Sequence, residues 1–115
     1  MTSQELAKEA AGAADDKKAQ NIIILDVHHL TPVADCFVIC SANSGTQVEA
    51  VSKAVREKME AAGTPCHATE GLAEARWVLM DFGDVVVHVF RREEREFYNL
   101  ERLWGDAVEV PYSVS

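Results

Sequence analysis

The stretch RWVLMDFGDVVVHVF, residues 76–90, decides the fold. Two runs of β-branched and aromatic residues flank Phe82-Gly83-Asp84, and apolar runs joined by a glycine-containing turn predict a β-hairpin. With Val78 and Met80 pointing into a core, strand alternation sets Trp77, Leu79 and Asp81 on the opposite face. His88 alternates with apolar neighbours and reads as a hydrogen-bonded sheet histidine rather than a base. Asp81 and Asp84 flank the turn, where carboxylates serve turn geometry, and they also place negative charge at one end of the sheet, able to meet a partner's cations.

Upstream, NIIILDV at 21–27 and DCFVICS at 35–41 are further strands. Both carry apolar residues at consecutive positions, which predicts burial on both faces and central places in a sheet covered by helices. SANSGTQVEAVSKAVREKMEAAG at 41–63 opens with a Ser44-x-x-Gln47 capping box, stops at Gly63, and repeats Val48, Val51, Val55, Met59 and Ala62 at helical spacing. Thr2-x-x-Glu5 opens an alanine-rich helix reaching about Ala14, and DDKKAQN at 15–21 is a charged connector. CHATE at 66–70 is a short strand and GLAEA at 71–75 a loop. In EREFYNLERLWGDA, residues 94–107, a continuous helix would gather Phe97, Leu100, Leu103 and Trp104 into one buried stripe about 120° wide, leaving Tyr98 in water between Glu101 and Arg102. VEVPYSVS at 108–115 lacks caps and periodicity and is expected to hang loose. The order α-β-β-α-β-β-β-α describes an α/β single-domain sandwich over residues 1–107, a mixed five-stranded sheet flanked by helices, followed by a flexible tail at 108–115.

The 115 residues suit one domain, and 48% apolar with 26% charged residues is an ordinary globular composition. A formal charge of -8 with no basic patch argues against nucleic-acid binding and makes a basic protein the natural partner. The first twenty residues contain acids and no apolar run, so neither a signal nor a transit peptide is expected. No hydrophobic run approaches the roughly 18 residues that cross a membrane, and the expected location is the cytoplasm. Three cysteines make no disulfide framework. In a strand Cys36 and Cys40 stand about 13 Å apart, too far to share one zinc. His28, His29, Cys66 and His67 show no ligand spacing, so neither metal nor cofactor is expected.

The sharpest enzymatic candidate is nucleotidyl transfer. SANSGT between a strand and a helix could hold phosphate on backbone N–H groups, with Ser41, Ser44 and Thr46 adding hydroxyls. Such chemistry also needs paired carboxylates for magnesium, and no D-x-D pair follows; Asp26 and Asp35 stand alone. The common nucleotide fingerprints and the G-x-S-x-G nucleophile elbow are absent, so no enzymatic activity is expected.

The run W-V-L-x-D-x-G-D-V-V-V-H-V-F at 77–90, followed by E-x-R-x-F-Y-N-L-E-R-L-W at 93–104, strongly resembles the ribosomal silencing factor family, also called the Iojap family. ILDV at 24–27, ADCFVICSANS at 34–44 and the helix beginning QVEAV fit the same family, so the resemblance spans roughly residues 3–105. It implies a nucleotidyltransferase-like fold without catalytic acids, no covalent chemistry and no cofactor. It further implies binding to the large ribosomal subunit through its ribosomal protein fourteen, with steric blocking of small-subunit joining when nutrients are scarce. By position it assigns partner binding to Trp77, Asp81, Tyr98 and Asn99, with Glu101 and Arg102 at the edge. Two alternatives stand beside it: a nucleotidyltransferase-like enzyme, which magnesium-dependent nucleotide binding would revive, and an adaptor that homodimerises through the same aromatic patch.

Overall fold

The computed structural model describes residues 1–112. Helix α1 (Ser3–Asp16) leads into β1 (Gln20–Asp26) and β2 (Cys36–Ala42), then α2 (Gly45–Ala61), β3 (Ala68–Glu70), β4 (Trp77–Asp81) and β5 (Val85–Arg91). Two short helices follow, α3 (Arg92–Tyr98) and α4 (Leu100–Leu103), and β6 (Val108–Val110) closes the order. The sheet runs β3-β4-β5-β2-β1-β6; β2 and β5 are parallel and every other pairing is antiparallel. The hairpin at 77–91 forms as its turn chemistry dictates, with Phe82 donating its N–H to Val85 O at 2.9 Å.

The sheet has six strands rather than the expected five, because residues 108–110 of the supposed loose tail pair with β1 at Ile24, Leu25 and Asp26. An open β1 edge supplies the unpaired backbone groups, and Val110 supplies a buried side chain, so three residues dock without any periodicity to announce them. The rest of that tail from residue 113 onward lies outside the described residues.

Strand β2 is buried at all seven positions, and its alternation builds two cores. Cys36, Val38, Cys40 and Ala42 face α1 and α2, where Ala7, Ala10, Ala11 and Ala14 bring α1 close, and Val48, Val51, Val55 and Met59 fill the space beneath α2. Phe37 and Ile39 face the other side with Leu25, Val86, Phe90 and Leu100. Both strand cysteines are core residues, and burial pushes the Cys36 thiol up to about 11 and that of Cys40 up to about 12, which keeps them protonated and inert.

The caps follow the sequence with one displacement. Thr2 and Glu5 exchange both bonds of a capping box. At α2, Ser44 Oγ accepts the Gln47 N–H at 3.1 Å, but Gln47 Oε1 takes the Asn43 N–H at 2.7 Å instead of that of Ser44. The Gln47 amide also donates to the carbonyls of Lys17 and Lys18, tying the end of α1 to the start of α2.

Ahead of β4, Gly71 has φ +84°, and a Cβ there would stand 2.1 Å from the Trp77 carbonyl oxygen. Gly63 has the same φ with nothing within 4 Å. Gly63→Ala should therefore cost only the left-handed backbone penalty, about 1–2 kcal/mol. Gly71→Ala adds a backbone collision and should cost about 2–5 kcal/mol in a urea titration, a larger loss than at Gly63.

Candidate functional site

The second face of the sheet is thinly covered, and the segment after β5 determines what covers it. The expected continuous helix is broken: Asn99 adopts φ 46°, ψ 57°, ending α3 and starting α4. Asparagine tolerates this left-handed region better than other side-chain residues. The break divides the expected apolar stripe. Leu100 is 9% exposed and Trp104 is half-buried against Phe37 at a ring separation of 5.1 Å, whereas Phe97 is 80% and Leu103 74% exposed. Tyr98 faces solvent as the helical spacing predicts, at 50% exposure.

Arg95 sits beneath the break, 8% exposed. Its Nη1 donates to Asn21 O at 2.6 Å and to Ser41 Oγ at 2.8 Å, and its Nε donates to Glu101 Oε2 at 3.2 Å. Asn21 lies where β1 carries one extra residue against β2, and the unpaired carbonyl of that bulge is what the guanidinium satisfies. Arg95 is the arginine of the E-x-R-x-F motif at 93–97, but sequence alone assigns it no role, because an arginine among acids on a helix reads as a solvated charge.

The structure brings some of the six nominated residues together and separates others. Trp77 lies half-buried at the start of β4, on the face opposite Val78 and Met80, with Phe90 stacked on it at 4.9 Å and Tyr98 in tilted contact at 4.8 Å. Asn99 and Arg102 are exposed and line one recess with Phe97, Tyr98 and Leu103. Glu101 is half-buried in its ion pair with Arg95. Asp81 ends β4 at the opposite end from Trp77, about 13 Å along the strand, and its carboxylate accepts the Gly83 N–H at 2.8 Å. It does not join the Trp77–Tyr98 cluster. Phe97 and Leu103 do, although the helical reading had placed them in the core.

Before α2, side chains take the Asn43 and Gln47 N–H groups, two of the backbone donors that a phosphate there would use. At the other end of β2, ligand atoms of Asp26, His28 and His29 lie within 4.8 Å of one another, a grouping the sequence spacing had not suggested. Both histidines are exposed, and Asp26 Oδ1 is engaged by the His28 N–H and by His28 Nδ1 at 2.5 Å. That pairing lowers the Asp26 carboxyl and raises the His28 imidazole from their ordinary values. These groups are too distant from the α2 N-terminus to hold a metal over phosphates bound there.

Beneath Trp77, His88 Nδ1 accepts the indole N–H at 3.1 Å, and Phe37 and Phe90 pack around the ring. Tryptophan can only donate, so the neutral tautomer carries its proton on Nε2. Burial drives the imidazole down from 6.5 to about 4. Between those values the unfolded chain binds the proton and the folded chain does not. Stability from this group is therefore complete above pH 6.5 and falls as pH drops toward 4, by about 3 kcal/mol. The raised His28 has the opposite sign, so the expected measurement is a difference: urea stability of the wild type minus that of His88→Phe should decline between pH 6.5 and 4 and be flat above it.

Comparison with known proteins agrees with this architecture. The family model described as "Ribosomal silencing factor during starvation" matches residues 1–114. A ribosomal silencing factor of Bacillus subtilis is 49% identical over 107 residues, 93% of this chain and 91% of that protein. One of Halalkalibacterium halodurans is 46% identical, covering 96% and 94%. The crystal structure of a protein from Chromobacterium violaceum superposes with a TM-score of 0.89 at 36% identity, over 100% of this chain and 95% of the other. With an α/β sheet of the same layout, residue motifs at both ends and a match along nearly its full length, this chain belongs to the ribosomal silencing factor family, a family of regulators rather than enzymes.

Proposed function

We propose that this protein binds the large ribosomal subunit through its ribosomal protein fourteen, in the cytoplasm, and blocks joining of the small subunit by occupying the surface where the two would meet. Translation is thereby repressed when nutrients are limiting. The observation that carries this reading is the outward display of Phe97, Tyr98 and Leu103 beside Trp77 in a chain of this family. Exposed aromatic side chains at the centre of a patch supply most of an interface's binding energy, and no reacting group is needed for occlusion. A net charge of -8 suits a basic partner.

The footprint is centred on Trp77, Tyr98, Asn99 and Arg102. A standard interface of about 800 Å² per partner is roughly 30 Å across, wide enough to reach Asp81 and Glu101 at its margins. The same exposed Phe97 and Leu103 favour a second reading, in which two copies associate through this surface. Sedimentation velocity at several concentrations separates the two: a dimer dissolved by Tyr98→Ala places self-association on this patch, and a monomer throughout leaves it to the ribosome.

The direct test is cosedimentation with purified large subunits in sucrose gradients. Wild-type protein should travel with the subunit and reduce its joining to small subunits. Tyr98→Ala, folded by circular dichroism, should lose about 30-fold in affinity, the effect of removing one aromatic anchor worth about 2 kcal/mol. Wild-type protein that stays at the top of the gradient would overturn the proposal.

A further inference from the structure

We infer that Arg95 is a positioning residue for the aromatic surface: buried under the break at Asn99, it holds Phe97, Tyr98 and Leu103 outward without itself touching the partner. This rests on the docking role proposed above and deepens it, since it identifies the internal contact that determines whether the surface exists.

The geometry of the Arg95–Glu101 pair carries the inference. Residues six apart on a continuous α-helix lie about 120° apart around the axis and about 9 Å apart along it, so they do not share a face. Here the Nε–Oε2 distance is 3.2 Å, which the chain achieves only by turning at Asn99. The pair and the break are thus one feature. The same turn brings Leu100 and Trp104 onto the sheet and leaves Phe97 and Leu103 outside. Without it, Phe97 and Leu103 return to the stripe with Leu100 and Trp104, and only Tyr98 is left projecting.

The guanidinium spans three elements at once: the β1 bulge at Asn21, the β2 hydroxyl of Ser41, and α4 through Glu101. Nη1 serves Asn21 and Ser41 while Nε reaches Glu101; a lysine ammonium, a single nitrogen, cannot occupy both positions. Arg95 is 8% exposed, at the floor of a recess it lines with Asn21, Ser41 and Glu101, so little of it is offered to a docked protein, and amide exchange above it separates an effect of shape from a direct contact.

The test compares wild type, Arg95→Lys, Glu101→Gln and Tyr98→Ala, each at a temperature where its own urea titration shows it more than 99% folded. Affinity for purified large subunits is measured beside amide hydrogen exchange. The expected result for Arg95→Lys is a loss of tenfold or more in affinity, with faster exchange confined to residues 97–104 and unchanged protection in β2 and β5. Glu101→Gln should move both readouts the same way by less. General destabilisation alone would leave the affinity of the folded fraction unchanged. Arg95→Lys binding like wild type while Tyr98→Ala does not would overturn the inference and leave the docking role standing. Weaker binding with unaltered exchange at 97–104 would also overturn it, by making Arg95 a direct contact. Should Arg95→Lys fail to fold, Ser41→Ala with Glu101→Ala removes two of its three short contacts and is judged by the same outcomes. If wild type does not bind large subunits, the docking role fails, and the exchange pattern decides separately whether Arg95 holds the break.

Discussion

A single buried guanidinium ties the segment after β5 to strands β1 and β2. Turning Phe97 and Leu103 out forgoes about 1.5–3 kcal/mol for each, and a left-handed residue at Asn99 adds about 1–2 kcal/mol, a total near 4–8 kcal/mol. Helices of seven and four residues have no stability of their own to set against that. Arg95 makes three short charge-assisted bonds of about 1.5–3 kcal/mol each, which offsets the loss. The balance is close, so removing one partner and leaving a charge buried would tip it.

The two faces of the sheet are consequently unequal in character. On one, α1 and α2 lie flat over alternating strand residues, and the small side chains of α1 permit close packing. On the other, an aromatic series runs from Phe37 through His88, Phe90 and Trp77 to Tyr98 at the surface. Trp77 has little rotational choice within that series: its ring is stacked on Phe90 and in tilted contact with Tyr98, and its N–H is held by His88. An anchor fixed before binding loses less entropy when it binds. A polar histidine inside a strand is accounted for in this way, as the acceptor that orients the tryptophan above it.

Much of this was legible in the sequence where local chemistry and tertiary demand coincide. The hairpin around Gly83, the cap at Thr2, the doubly buried β2 and the Trp77 face all follow from spacing and turn residues. What escaped were features set by distant residues. The stripe Phe97, Leu100, Leu103, Trp104 is faultless as helical periodicity, and only contacts with Asn21 and Ser41 reveal why it breaks. Residues 108–110 pair because β1 offers an edge, a fact three residues cannot encode. Asp81 was grouped with Trp77 by sharing a strand face, yet a shared face does not imply proximity over four residues.

Charge is distributed in a way that separates the approach to a partner from the contact with it. Residues 91–104 hold four arginines and four glutamates, so the segment that carries the aromatic surface is neutral and the whole charge of -8 lies elsewhere on the chain. Four aspartates, at 26, 35, 81 and 84, gather at the end of the sheet away from Trp77, as the strand register requires. Asp81, about 13 Å from Trp77 along β4, is farther from it than the Debye length of about 10 Å at 0.1 M salt, so at that salt its pull on cations opposite Trp77 is largely screened. At lower salt the field of these acids reaches further and governs how fast encounters occur. In the docking proposed above, short-range burial of Trp77, Phe97, Tyr98 and Leu103 sets how long the complex lasts, and salt affects that far less. For the occlusion proposed above, a long residence matters more than a fast approach, and it rests on the outward turn of Phe97 and Leu103 at the break beside the Arg95–Glu101 pair.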